Sequence, residues 1–149
     1  MEIMEINRTI QDFRYTDNIT ALIEALNDFM QRLGKERLKT ATEIRSVVYS
    51  ALLMNGCRGD VIPGTEKENV TFAFKTRKSV FFTGIDIGKT AEEIIAERRN
   101  IDFDTRYFED GRNAYLLGLS FSEKNRQFTQ WKTERVTAEE TEDSLHSLS

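Results

Sequence analysis

The residues of this chain best suited to chemistry are a few carboxylates and one lysine. Asp86 and Lys89 stand three apart in Gly84-Ile85-Asp86-Ile87-Gly88-Lys89, and Asp60 precedes Asp86 by 26 residues. Paired carboxylates can hold a divalent ion that activates water, and a nearby lysine can position the nucleophile. Asp60 and Asp86 are therefore candidate ligands of one Mg²⁺, with Glu43 joining them and Lys89 bending back from the next turn. The period of two in a strand would put residues 86 and 89 on opposite faces unless the strand breaks at Gly88. The plainer reading leaves Asp86 at a strand end and Lys89 as a solvated residue ahead of a helix.

Other chemistries fail on spacing. Gly84 to Thr90 echoes a phosphate-binding loop, but three residues separate Gly84 from Gly88 where that loop needs four. Arg98, Arg99, Arg106 and Arg112 interleave with Phe103, Tyr107 and Phe108 as a single-strand-binding face would. Glu97, Asp102, Asp104, Glu109 and Asp110 lie among them and cancel the field. Trp131 and Lys132 on a final strand mark an edge that could meet a partner. Arg98, Arg99, Arg106, Trp131 and Lys132 are thus the candidate binding residues. Arg58-Gly59-Asp60 spells an adhesion tripeptide by chance. Cys57 has no obvious base nearby and reads as a structural thiol.

Composition narrows the classes further. The chain has 149 residues, 39% of them hydrophobic and 31% charged, with 8 Gly and 1 Pro. That balance suits one globular domain rather than a disordered or fibrous chain. One cysteine excludes an internal disulfide, and the lone histidine, His146, lies three residues from the end, which excludes a buried histidine triad. No apolar run approaches a membrane span. The first ten residues lack a basic stretch followed by an apolar one, so we expect no secretory signal and a cytoplasmic location. Net charge is −4, and Glu139, Glu140, Glu142 and Asp143 account for all of it, leaving residues 1–137 neutral. A neutral body lacks the footprint of a dedicated nucleic-acid binder, although a local basic face is compatible with it.

The elements that must position these residues follow from periodicity. Ile3, Ile6, Ile10 and Phe13 predict a leading helix. Ile19, Leu22, Ile23, Leu26, Phe29, Met30 and Leu33 predict a second, capped by Asp17 or Asn18 and closed near Gly34. A third runs from about Thr40 to Asn55. Residues 57–68 read as a short strand and a turn through Pro63-Gly64. Val70, Phe72 and Phe74 alternate as a half-buried strand, and Val80–Ile87 reads as a central one. Thr90 and Glu93 form a capping-box signature for a helix continuing through Arg99. Ala114–Phe121 and Arg126–Val136 form a closing hairpin. The expected fold is α/β, a mixed sheet flanked by helices with N-terminal helices. The expected division is a single domain over 1–137, helical over 1–34 with its core over 40–136, and an acidic mobile tail over 138–149.

Three stretches carry a family resemblance: Thr42–Gly56 (TEIRSVVYSALLMNG), Val70–Glu93 (VTFAFKTRKSVFFTGIDIGKTAEE) and Gly111–Arg135 (GRNAYLLGLSFSEKNRQFTQWKTER). Their text and order resemble the PD-(D/E)XK nuclease superfamily, with its restriction-endonuclease-like core, and within it the nuclease-like domain at the C-terminus of AAA-ATPase-like proteins. The resemblance implies an acidic residue on the first helix, matched by Glu43, an Asp on the second strand and a Glu-x-Lys on the third. Carried over, the Asp position falls on Thr71, the Glu on Gly84 and the Lys on Asp86. The resemblance therefore implies a nuclease scaffold that has lost its catalytic set, needs no cofactor and serves as a binding or interaction module. The neutral body and acidic tail favour a protein partner, including a second copy of the chain, over nucleic acid, with no role for a membrane. The alternative is a divergent Mg²⁺-dependent DNA nuclease using Asp60, Asp86, Lys89 and Glu43.

Overall fold

A computed structural model describes residues 2–62, 70–101, 105–107 and 109–136. The expected turn at Pro63-Gly64, the aromatic residues Phe103 and Phe108 with the acids Asp102 and Asp104, and the tail over 138–149 lie outside the described residues. Three helices come first: α1 (Ile3–Thr16), α2 (Ile19–Arg32) and α3 (Ala41–Met54). Of the two cap candidates Asn18 acts, accepting the N–H of Ala21 at 3.1 Å, while Asp17 closes α1 in the left-handed region. Thr40 caps α3 through the N–H of Glu43 at 3.2 Å.

Five strands follow: β1 (Gly59–Ile62), β2 (Thr71–Lys75), β3 (Ser79–Ile87), β4 (Asn113–Ser122) and β5 (Gln127–Val136), with α4 (Ala91–Ala96) between β3 and β4. They form one sheet in the order β1-β2-β3-β4-β5. All pairings are antiparallel except β3 with β4, which is parallel and needs the α4 crossover to bring the chain back. This is the α/β architecture expected, a mixed sheet between helices. The helix expected through Arg99 ends at Ala96, and residues 97–100 continue it only as a turn.

Pleating sends alternate residues to opposite faces. Phe72, Phe74, Phe81, Ile85, Leu117, Leu119 and Phe121 pack with Ile6, Ile10, Leu26, Ile44, Val48 and Leu52 of α1, α2 and α3 in one large core. The other face carries a smaller cluster of Ala73, Val80, Phe82, Ala114 and Leu116 with Ile95 of α4. At the far edge Asn27 clasps β5: its amide donates to the Phe128 carbonyl at 3.1 Å and accepts the Phe128 N–H at 2.7 Å.

Candidate functional site

The α4 face of the sheet holds the candidate centre. Thr71 on β2 and Gly84 on β3 are cross-strand partners, and Gly84 faces Gly118 on β4. Two glycines side by side leave a trough in strands otherwise built from bulky residues, and the trough admits the crossover segment closely. A Cβ on Gly118 would lie 2.6 Å from the Ala91 carbonyl oxygen, so the start of α4 rests on bare backbone. The capping box fixes that start, Thr90 accepting from the Glu93 N–H at 3.1 Å while Glu93 accepts from the Thr90 N–H at 3.3 Å.

Arg98, one turn after α4, fills the rest of the trough. It is 1% exposed. Its Nε donates to Thr71 Oγ1, its Nη1 to the Ile94 carbonyl and its Nη2 to the Val70 carbonyl, each at 3.0 Å. A Cβ on Gly84 would stand 2.4 Å from Arg98 Cζ, so the guanidinium occupies the space any larger residue at 84 would need. Burial lowers the pKa of Arg98, and nearby Asp86 and Glu97 oppose that shift. Arginine keeps its charge under such a shift, so the centre holds a permanent cation.

Asp86 anchors the rest of the cluster. Arg45 of α3 donates from Nε to the Ile85 carbonyl at 2.9 Å and lies 3.5 Å from Asp86 Oδ1. Lys89 Nζ lies 3.5 Å from Asp86 Oδ2 and 2.8 Å from Glu97 Oε1. The strand breaks at Gly88, where φ is +78°, and this is what lets Lys89 turn back to Asp86. The Glu97 hydrogen bond raises the Lys89 pKa; desolvation opposes it and the Asp86 charge assists. Asp86 thus sits between two cations, with a third, Arg98, within electrostatic reach.

The structure brings Asp86 and Lys89 together, and it corrects the remainder of the predicted metal set. Asp60 pairs with Ala73, which pairs with Phe82. Asp86 is four residues further along β3, about 13 Å at strand rise and two strands across. Asp60 accepts a hydrogen bond from the Tyr107 hydroxyl at 3.0 Å. Glu43 spends its carboxylate at the α3 cap, accepting from Thr40 Oγ1 at 3.0 Å. Asp60, Asp86 and Glu43 do not converge, and among the described residues no group of three ligating side chains could hold a metal ion. Mg²⁺ does not fit the Thr71, Gly84 and Asp86 positions either. Two unit charges about 4 Å apart interact by about 4 kcal/mol at an effective dielectric of 20, so a fixed guanidinium would oppose a divalent ion by about twice that.

The predicted binding residues divide. Arg98 is a correction: its position, i+4 from Ile94 and i+3 from Ile95, places it on the buried stripe rather than toward solvent. Arg99 makes two 2.8 Å hydrogen bonds to Glu134, and Lys132 reaches Glu92 at 2.8 Å. Arg106 is exposed beside Tyr107. Trp131 is half-buried against the larger core. Arg45 was missed by sequence reasoning, although it neighbours Ile44 and Val48 at a buried helical position. No family model, curated protein or solved structure matches the chain.

Proposed function

We propose that this chain is a catalytically degenerate nuclease-like domain of the PD-(D/E)XK type, acting as a binding and interaction module. The order α3-β1-β2-β3-α4-β4, with an antiparallel pair leading into β3 and a helix leaving it, supports the resemblance. Thr71 and Gly84, the positions where that family would carry its Asp and Glu, face each other across β2 and β3, as two ligands of one ion would have to. The observation that carries the reading is the Arg98 guanidinium buried between them. A site built to concentrate negative charge for Mg²⁺ is here closed by a positive one, held by three hydrogen bonds.

A protein partner, including a second copy, fits the neutral body better than nucleic acid does. The surface offered runs along β5, with Trp131, Lys132 and Arg135. A cytoplasmic setting agrees with the single buried thiol, and among the described residues no helix is long and apolar enough to cross a membrane.

The test is cleavage of plasmid and single-stranded DNA by the purified chain with Mg²⁺ or Mn²⁺, beside Asp86→Ala and Lys89→Ala. No cutting by the folded protein is expected. Metal-dependent cutting abolished by both substitutions would overturn the reading in favour of a relocated active site around Asp86 and Lys89.

A further inference from the structure

Several cations of this molecule are matched to acids. Arg99 has Glu134, Lys132 has Glu92, Lys89 has Glu97 and Asp86, and Arg45 has Asp86. The hairpin end of β2 and β3 instead gathers cations in one place. A concavity of about 420 Å³ there is lined by Arg14, Arg58, Lys75, Arg77 and Arg112 together with Tyr15, and by no acidic residue. Only Arg112 has an acidic partner, Asp110. Arg58 and Arg77 are exposed, and neither side chain has a hydrogen bond or ion pair. Lys75 Nζ lies over the Tyr107 ring at 5.4 Å, and its charge reaches Asp110 as that of Arg112 does.

The backbone builds this concavity rather than leaving it to long side chains meeting by chance. The Arg77 N–H donates to the Arg14 carbonyl at 2.8 Å, pinning the hairpin turn to the end of α1. Lys75 N–H donates to the Arg58 carbonyl at 3.0 Å, tying the same hairpin to the start of β1. Arg112 Nε donates to the Thr76 carbonyl at 2.9 Å. Arg14 is packed against Gly56, where a Cβ would lie 2.6 Å from Nη1, and it stacks over Tyr15 at 5.2 Å. Three guanidinium groups and the lysine are therefore fixed at their roots by main-chain contacts.

We infer that this concavity is a binding site for a small ligand carrying two or three phosphoryl groups. Its volume lies in the range of small-molecule sites, and arginine forks match the tetrahedral oxygens of phosphate with paired hydrogen bonds. A multiply charged ligand is required to answer several cations at once. The half-exposed Tyr15 ring beside them offers a flat surface for an attached base. Inorganic polyphosphate and nucleoside polyphosphates share this chemistry.

The test is calorimetric titration of the full chain with sodium tripolyphosphate, with Arg58→Glu, Arg77→Glu and, at the far turn, Lys124→Glu. One tripolyphosphate per chain is expected, with affinity reduced at least tenfold by Arg58→Glu and by Arg77→Glu and unchanged by Lys124→Glu. Both pocket side chains are exposed and unpartnered, so the melting midpoint without ligand should stay where it is, which separates lost binding from lost folding. Tighter binding of a nucleoside triphosphate than of tripolyphosphate, removed by Tyr15→Ala, would assign the nucleotide; equal binding would assign the inorganic chain. Absence of binding, an equal loss with Lys124→Glu, or saturation only by a long oligonucleotide would overturn the proposal.

Discussion

The large core of this sheet and the trough on its α4 face are buried by different physics. Against α1, α2 and α3, the strands present Phe72, Phe74, Phe81, Ile85 and Phe121, and the gain is apolar area removed from water. Against α4 a smaller apolar cluster gives way, toward one end, to Thr71, Gly84, Asp86, Gly118 and Ser120, and what fills the gap there is a guanidinium. The first face tolerates approximate shapes, because an aliphatic or aromatic side chain of similar volume still buries its area. The second depends on every donor finding its acceptor, since a buried charge left alone costs far more than a cavity. A fold can carry such a centre only where another face supplies most of the stability.

Truncation on each face makes the contrast measurable, and the largest effects come first. Arg98→Ala removes the three hydrogen bonds in the trough and leaves Thr71 Oγ1 and the Ile94 and Val70 carbonyls without their donor. Loss of about 3–5 kcal/mol is expected in denaturant titration. Phe74→Ala, which strips a ring packed on Tyr49 and Phe72, should cost a similar 3–5 kcal/mol or so through the cavity it leaves. The two should part on rescue. Phe74→Leu recovers much of the loss, whereas Arg98→Leu does not, because an apolar side chain cannot donate to Thr71 Oγ1 or to the Ile94 and Val70 carbonyls. Equal rescue at both sites would erase the distinction.

Gly84→Ala sharpens it. The new Cβ has nowhere to go while Arg98 stays, so about 1–3 kcal/mol should be lost, most of which should vanish in an Arg98→Ala background. Additive costs would mean that Gly84 is needed for its backbone and not for the guanidinium.

Cys57 reports on the apolar side. It is fully buried, and desolvation pushes its thiol from 9.0 up to about 11, with Arg14 pulling weakly the other way. At pH 8 the native thiolate fraction should be about a hundredfold below that of an ordinary cysteine, so a thiol reagent should react slowly until denaturant is added. Fast labelling of the native protein would show the larger core opening locally.

The smallest effect belongs to the rim. Arg99 holds the Glu134 carboxyl below its ordinary 4.5 through hydrogen bonding, with desolvation opposing and the Arg99 charge assisting. A depressed carboxyl contributes stability above its unfolded pKa and loses it as pH falls through the folded value. Glu134→Gln should therefore leave the melting midpoint nearly unchanged at neutral pH in physiological salt, since the pair is exposed. It should slightly flatten the loss of stability below pH 4.5.

Much of the fold could be read from the chain because its signals are local. The alternation of Phe72 and Phe74, the continuous apolar run before Gly88 and the Thr90–Glu93 capping box each depend on residues within a few positions. The candidate centre was harder, because it depends on which side chain of the crossover enters the sheet. Gly84 and Gly118 in the middle of bulky strands signalled a close approach, and the helical offset from Ile94 to Arg98 named the residue that makes it. Treating Arg98 as one of a row of surface cations hid that signal. The Asp60, Asp86 and Glu43 grouping failed for the opposite reason: residue type alone suggested a metal, while the strand register puts the two aspartates two strands apart.

Asn27 bears on how β5 is guarded against open-ended strand pairing. By giving and taking a hydrogen bond at Phe128, a single side chain does for β5 what a neighbouring strand would do, and it does so at one residue only. An incoming strand that tried to extend the sheet from that end would first have to evict the amide, so stacking of identical chains into a fibril meets a stopper there. At the opposite edge, β1 has four residues among those described. Asn27→Ala should leave a folded protein whose tendency to form fibrils on prolonged incubation is greater than that of the parent chain.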